Sequence, residues 1–153
     1  MAYEIEVKDL PARYVATVRV KTAPAKMGDT FGEVLPEVRA AVEAQGVRPV
    51  GPPFGLFHEY GDDVVDLEAG VPLPGPVVTE GRIQVRELPA TRAAVTWHIG
   101  PYTKLSGAYR AIEAWIDEHG ERVNGPPWEV YWTDPMSEED SSKWRTEVGY
   151  PIA

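Results

Sequence analysis

Three segments of this chain recur in the same order at nearly constant spacing. Val7-Lys8-Asp9-Leu10-Pro11-Ala12 returns as Val85-Arg86-Glu87-Leu88-Pro89-Ala90. Gly46-Val47-Arg48-Pro49-Val50-Gly51-Pro52-Pro53-Phe54 returns as Gly120-Glu121-Arg122-Val123-Asn124-Gly125-Pro126-Pro127-Trp128. Glu68-Ala69-Gly70-Val71-Pro72-Leu73 returns as Glu147-Val148-Gly149-Tyr150-Pro151-Ile152. A unit of that length is too long for a solenoid repeat and too short to build a large core alone. The expectation is one domain over residues 1–153, made of two pseudo-symmetric copies at about 3–73 and 81–153, with a seam suited to a ligand.

Each copy carries the same plan. In the first, Ile5 and Val7 alternate with charged residues, and Tyr14–Val20 is β-branched, which predicts a long bent strand. Phe31, Val34, Leu35, Val38, Ala41 and Val42 recur at helical spacing, with Asp29 or Thr30 as N-cap, Gly46 as stop and Pro36 placed in the first turn if the helix starts near Glu33. Two strands follow, Phe54–Tyr60 and 64–69, and then an extended connector rich in Pro and Gly. The second copy predicts a strand over 81–99, a helix over about 103–118, and strands over 128–133 and 144–148. Two strand-helix-strand-strand units give an α+β fold, a concave antiparallel sheet with both helices on one face.

The 153 residues are 43% apolar and 25% charged, a globular balance, and their net charge of −9 argues against direct nucleic-acid binding and favours cationic partners. With no cysteine there is no disulfide framework and no thiolate chemistry. The amino terminus lacks a signal-peptide pattern, and no apolar run approaches the roughly 20 residues a membrane helix needs. A cytoplasmic protein is expected, with no membrane association.

The chain has no nucleophile elbow, phosphate loop or His-Glu-x-x-His motif, and its three histidines lie on different elements, so neither a metal nor a cofactor is expected. What remains is a carboxylate among aromatic residues. If Val130 and Val148 face the helices, Tyr131 and Glu147 face the open side, with Phe57 and Glu68 at the matching positions of the first copy and Trp97 within reach. Desolvation would raise such an acid's pKa, and a cationic ligand would neutralise it. The alternative is that Glu147 pairs with Arg145 or with backbone amides, and that Tyr131 and Trp97 are packing residues.

His98-Ile99-Gly100-Pro101-Tyr102, Gly125-Pro126-Pro127-Trp128, Glu129-Val130-Tyr131 and the terminal Glu147–Ile152 together resemble the gyrase-inhibitor-like effector-binding domain. That resemblance implies a small-molecule site in which a buried glutamate recognises lipophilic cations, Glu147 by position, with Tyr131, Trp97 and Phe57 lining it. It also implies a stand-alone member, since no DNA-binding helices precede the first strand. Two further activities are implied as alternatives: hydrolysis of cyclopropane-containing DNA-alkylating natural products, with Glu147 as general base beside Tyr131, and interaction with a protein such as DNA gyrase.

Overall fold

Proline breaks the first extended stretch of each copy in two. The computed structural model describes residues 3–153; Met1 and Ala2, where the amino-terminal run begins, lie outside the described residues. In place of one long bent strand per copy, β1 (Glu6–Leu10) and β2 (Arg13–Thr22) flank Pro11, and β5 (Gln84–Leu88) and β6 (Thr91–Ile99) flank Pro89. The remaining strands and α-helices are α1 (Met27–Ala44), β3 (Phe54–Tyr60), β4 (Val65–Leu73), α2 (Ser106–Glu118), β7 (Trp128–Tyr131) and β8 (Arg145–Ile152). The strand pairings are antiparallel, and with two α-helices among the described residues the fold is α+β.

The chain forms two compact units, Pro11–Ala90 and Thr91–Ala153 joined by the chain up to Leu10. Within the first the strand order is β3-β4-β2-β5, and within the second β1-β6-β8-β7. The opening strand of each copy therefore pairs with strands of the other copy: β1 with β6, and β5 with β2. Each proline marks where the chain changes unit.

In the unit built on Pro11–Ala90, Val34, Val38 and Val42 of α1 pack on Val18, Leu67 and Val71. In the other, Ala108, Ile112 and Ile116 of α2 pack on Val148, Tyr150 and Ile152. Each fully buried Val or Ile contributes about 1.5–3 kcal/mol by leaving water, so these stripes dominate helix placement. They also explain a departure from expectation in α1. The helix starts at Met27, well before Glu33, and runs through Pro36, with no side-chain cap. Thr30 donates instead to the carbonyl of Lys26, 3.0 Å away. An internal proline costs about 3 kcal/mol, and the valines buried on both sides of it offset that. Gly46 and Gly120, at φ +74° and +64°, end the two helices as the sequence predicts.

The predicted connector after residue 69 is partly strand: β4 continues to Leu73, with Pro72 opposite Val15. The proline is tolerated because β3 pairing ends at Phe54–Gly70, so beyond it one flank of β4 carries no strand that needs an N–H. Among the described residues, no helix is long and apolar enough to cross a membrane.

Candidate ligand-binding site

Register fixes which way the short strand β7 points its side chains. Glu129 lies opposite Val148 and Tyr131 opposite Thr146, and Val148 belongs to the cluster under α2. Directly opposed side chains of an antiparallel pair share a face, so Glu129 and Tyr131 point toward α2. There the Tyr109 hydroxyl donates to Glu129 Oε2 at 2.5 Å, and the Tyr131 hydroxyl donates to Oε1 at 2.8 Å.

Glu129 is only 8% exposed, and neither of these donors is a cation. Burial pushes its carboxyl above the ordinary carboxylate range, and the two phenols only partly counter this. Burial also drives Tyr131 well above the usual phenol value, reinforced by Glu129. Tyr102, in a 3-10 turn ahead of α2, is pushed up to about 12 by burial and then by Glu129 and Asp134. Its ring meets Tyr131 edge-on at 5.7 Å and Trp144 at 4.9 Å, and Tyr150 meets Tyr109 edge-on at 6.0 Å. The acid thus sits between two phenols, with Tyr102 packed on Tyr131 and Trp144 on Tyr102, an environment that disfavours a lone negative charge and favours an aromatic cation.

The expected residues divide between faces and units. Glu147 lies opposite both Val130 and Trp97, so these three share the face away from α2. The expectation that Val130 and Val148 share a face, and with it that Tyr131 joins Glu147, is corrected by this register. Glu147 accepts from Lys8 Nζ at 3.1 Å. Arg145 does not pair with it; its guanidinium stands 4.7 Å over the Trp97 ring, which in turn meets Trp132 at 5.8 Å. Phe57 belongs to the other unit and is buried in the core beneath α1.

Tyr109, Glu129 and Thr146 are not among the expected site residues, although the repeat carries a signal for them. At the offset of the Gly-Pro-Pro match, Tyr109, Glu129 and Tyr131 correspond to Leu35, Gly55 and Phe57; at the offset of the terminal match, Thr146 corresponds to Leu67. The register agrees, since Phe57 pairs with Leu67 as Tyr131 pairs with Thr146. All four positions lack a polar side chain in the first copy. In that copy the Phe31 ring lies 3.0 Å from where a Cβ on Gly55 would stand. The fold is satisfied without an acid or phenol there, so packing does not explain the polar set of the second copy.

A more deeply buried acid, Glu68, is the repeat counterpart of Glu147 and is fully paired. It accepts from Thr17 at 2.7 Å and from Arg86 at 2.9 and 2.6 Å, and meets His58 Nε2 at 2.8 Å. Burial alone would raise its pKa, but Arg86, Thr17 and His58 outweigh it and hold Glu68 at about 2. Arg86 corresponds to Lys8 as Glu68 does to Glu147, so each unit fastens its exchanged opening strand with the same ion pair. These contacts are structural. A surface depression at the end of α1, lined by Glu43, Gly46, Val47 and Arg48, contains no buried polar group. Among the described residues, no group of three or more His, Asp or Glu side chains is arranged to hold a metal ion.

The chain belongs to the GyrI-like small molecule binding domain family, whose model matches residues 3–153. It is similar to EcmrR in a complex with DNA, at 25% identity over 99% of this chain with a TM-score of 0.90, and it spans 58% of that chain's length. It is equally similar to the isolated EcmrR C-terminal domain, at 25% identity and a TM-score of 0.90, covering 100% of this chain and 99% of that one. SAV2435 bound to tetraphenylphosphonium shares the fold at 14% identity and a TM-score of 0.72, over 98% of this chain and 94% of that one. No curated protein matches the sequence. The exclusion of nucleic acid drawn from net charge is corrected by the EcmrR complex, which ties this fold to a nucleic-acid-binding regulator.

Proposed function

We propose that this protein binds aromatic, lipophilic cations, with Glu129 as the counter-ion and Tyr102, Tyr109 and Tyr131 as the aromatic surround. The observation that carries the proposal is the buried carboxyl of Glu129, held by two phenols and, among the described residues, by no cation. An arriving cation supplies the missing charge partner, and each aromatic face adds roughly 0.5–2 kcal/mol of cation–π attraction. The net charge of −9 draws such ligands in. Tetraphenylphosphonium, the ligand of the structural neighbour SAV2435, is an aromatic cation of this kind. Drug or toxin sensing, or sequestration, is the setting such a site fits. Titration calorimetry with tetraphenylphosphonium and with a neutral tetraphenyl analogue tests the charge requirement. Glu129→Gln is expected to weaken the cation by roughly 1.5–3 kcal/mol and the neutral compound little; equal losses for both refute a counter-ion role.

The raised pKa of Glu129 beside two phenols favours a second reading, hydrolysis of strained electrophilic natural products. Glu129 would then take a proton from an attacking water while Tyr109 or Tyr131 donates to the departing carbon or oxygen. A general base contributes about 10²–10⁴-fold. Mass spectrometry of products after incubation separates the readings, since turnover above buffer that Glu129→Gln abolishes supports the enzyme.

A further inference from the structure

Among the described residues, one buried side-chain polar atom has no hydrogen-bond partner: the hydroxyl of Thr146, a residue with no solvent exposure. An unpaired buried hydroxyl opposes folding, and the large majority of such groups are paired. The position does not need one. Its counterpart Leu67 is a fully buried core residue of the other unit, and valine would supply the same β-branched shape to the strand.

Thr146 is also placed at the Glu129 site. It lies directly opposite Tyr131 and diagonally from Glu129, which faces Val148. Direct cross-strand neighbours bring their Cβ atoms to about 4.5–5.5 Å and diagonal ones to about 7–8 Å, on one face of the sheet. The orphan hydroxyl thus shares its face with the acid and the phenol, and all of these polar groups are absent from the first copy. A hydroxyl both donates and accepts, so it matches a hydrogen-bonding substituent of either sense.

We infer that Thr146 is a ligand-contacting residue of the Glu129 site, and that the ligand class this site selects is an aromatic cation carrying its own hydrogen-bonding substituent. The inference rests on the cation-binding reading and adds to it a preference among cations. A fully shielded cation would satisfy Glu129 and leave Thr146 unpaired. One with a hydroxyl or carbonyl on a ring satisfies both.

The test uses tetraphenylphosphonium and its three isomers bearing one phenolic hydroxyl, titrated calorimetrically into the full chain. The readout is the ratio of each isomer's affinity to that of the parent. In the wild type at least one isomer is expected to bind about 3–10-fold more tightly than the parent, the worth of one neutral hydrogen bond. Thr146→Val is expected to bring that ratio close to one, and Thr146→Ser, which keeps the hydroxyl, to retain most of it. Thr146→Val should also melt at or above the wild-type temperature, which shows that the variant is folded. No preferred isomer in the wild type, or a preference that survives Thr146→Val, overturns the inference while leaving cation binding intact. If Glu129→Gln leaves the parent affinity unchanged, the cation-binding reading fails and the role of Thr146 fails with it.

Discussion

Replacing Arg86 by Met removes the two charge-assisted hydrogen bonds that reach Glu68 from β5, at 2.9 and 2.6 Å, and leaves the acid with Thr17 and His58. The folded protein holds Glu68 at about 2, against an ordinary value of 4.5. At about 1.36 kcal/mol per unit, that depression corresponds to about 3 kcal/mol of stability at neutral pH. Because the folded pKa is the lower one, this stability is present above pH 4.5 and is lost as pH falls toward 2. Removing one partner of a buried pair costs about 3–5 kcal/mol; Arg86 is itself 39% exposed, which places the expected loss near the lower end of that range at pH 7. Urea unfolding followed by tryptophan fluorescence should show that loss at pH 7 and a much smaller difference between variant and wild type near pH 2. Comparing the two proteins at each pH cancels the other carboxylates. A loss of the same size at both pH values would refute the reasoning, because it would show that Arg86 acts by packing and not through the charge of Glu68.

Glu129 has the opposite sign. Its folded pKa is raised, so the stability it contributes is full below its ordinary value of 4.5 and declines as pH rises through the folded value; unfolding midpoints of Glu129→Gln should gain on wild type as pH goes from 4 to 8, and a constant difference would contradict a buried acid held by neutral phenols. Gly149→Ala would place a Cβ 2.5 Å from the Trp128 ring, an overpacking cost of about 1–3 kcal/mol read from the melting temperature. Gly70→Ala should cost more, since its Cβ would run into the Ala16 carbonyl oxygen, a backbone atom that cannot swing aside; equal effects would argue against the register at these two glycines.

The architecture was legible because repetition at fixed spacing requires no knowledge of contacts. Alternation in Tyr14–Val20 and the three- and four-residue spacing of Val34, Val38 and Val42 then marked strand and helix. Pro11 and Pro89 announced a break, but nothing local in either sequence says that the strand before the proline pairs with the other copy. The face of β7 departs from the sequence pattern for a physical reason. Trp128 and Val130 alternate with Glu129 and Tyr131, and the rule that apolar side chains face the helix points the wrong way when the helix face carries a buried acid. Such local inconsistency is where functional sites are found. Setting the copies side by side would have exposed it, since Leu35, Gly55, Phe57 and Leu67 are what this fold uses when it has no ligand chemistry to perform at those positions.

Glu129 and Glu147 compete directly for the role of the acid that meets the ligand, one buried between phenols and the other paired with Lys8 on the opposite strand face. The decisive measurement is the affinity for tetraphenylphosphonium of Glu129→Gln and Glu147→Gln, titrated side by side at pH 7 against wild type. The account predicts a loss of roughly 10–150-fold for Glu129→Gln, the fold equivalent of a hydrogen bond to a charged group, and less than about threefold for Glu147→Gln. The reverse order, with Glu147→Gln abolishing binding and Glu129→Gln without effect, would contradict it.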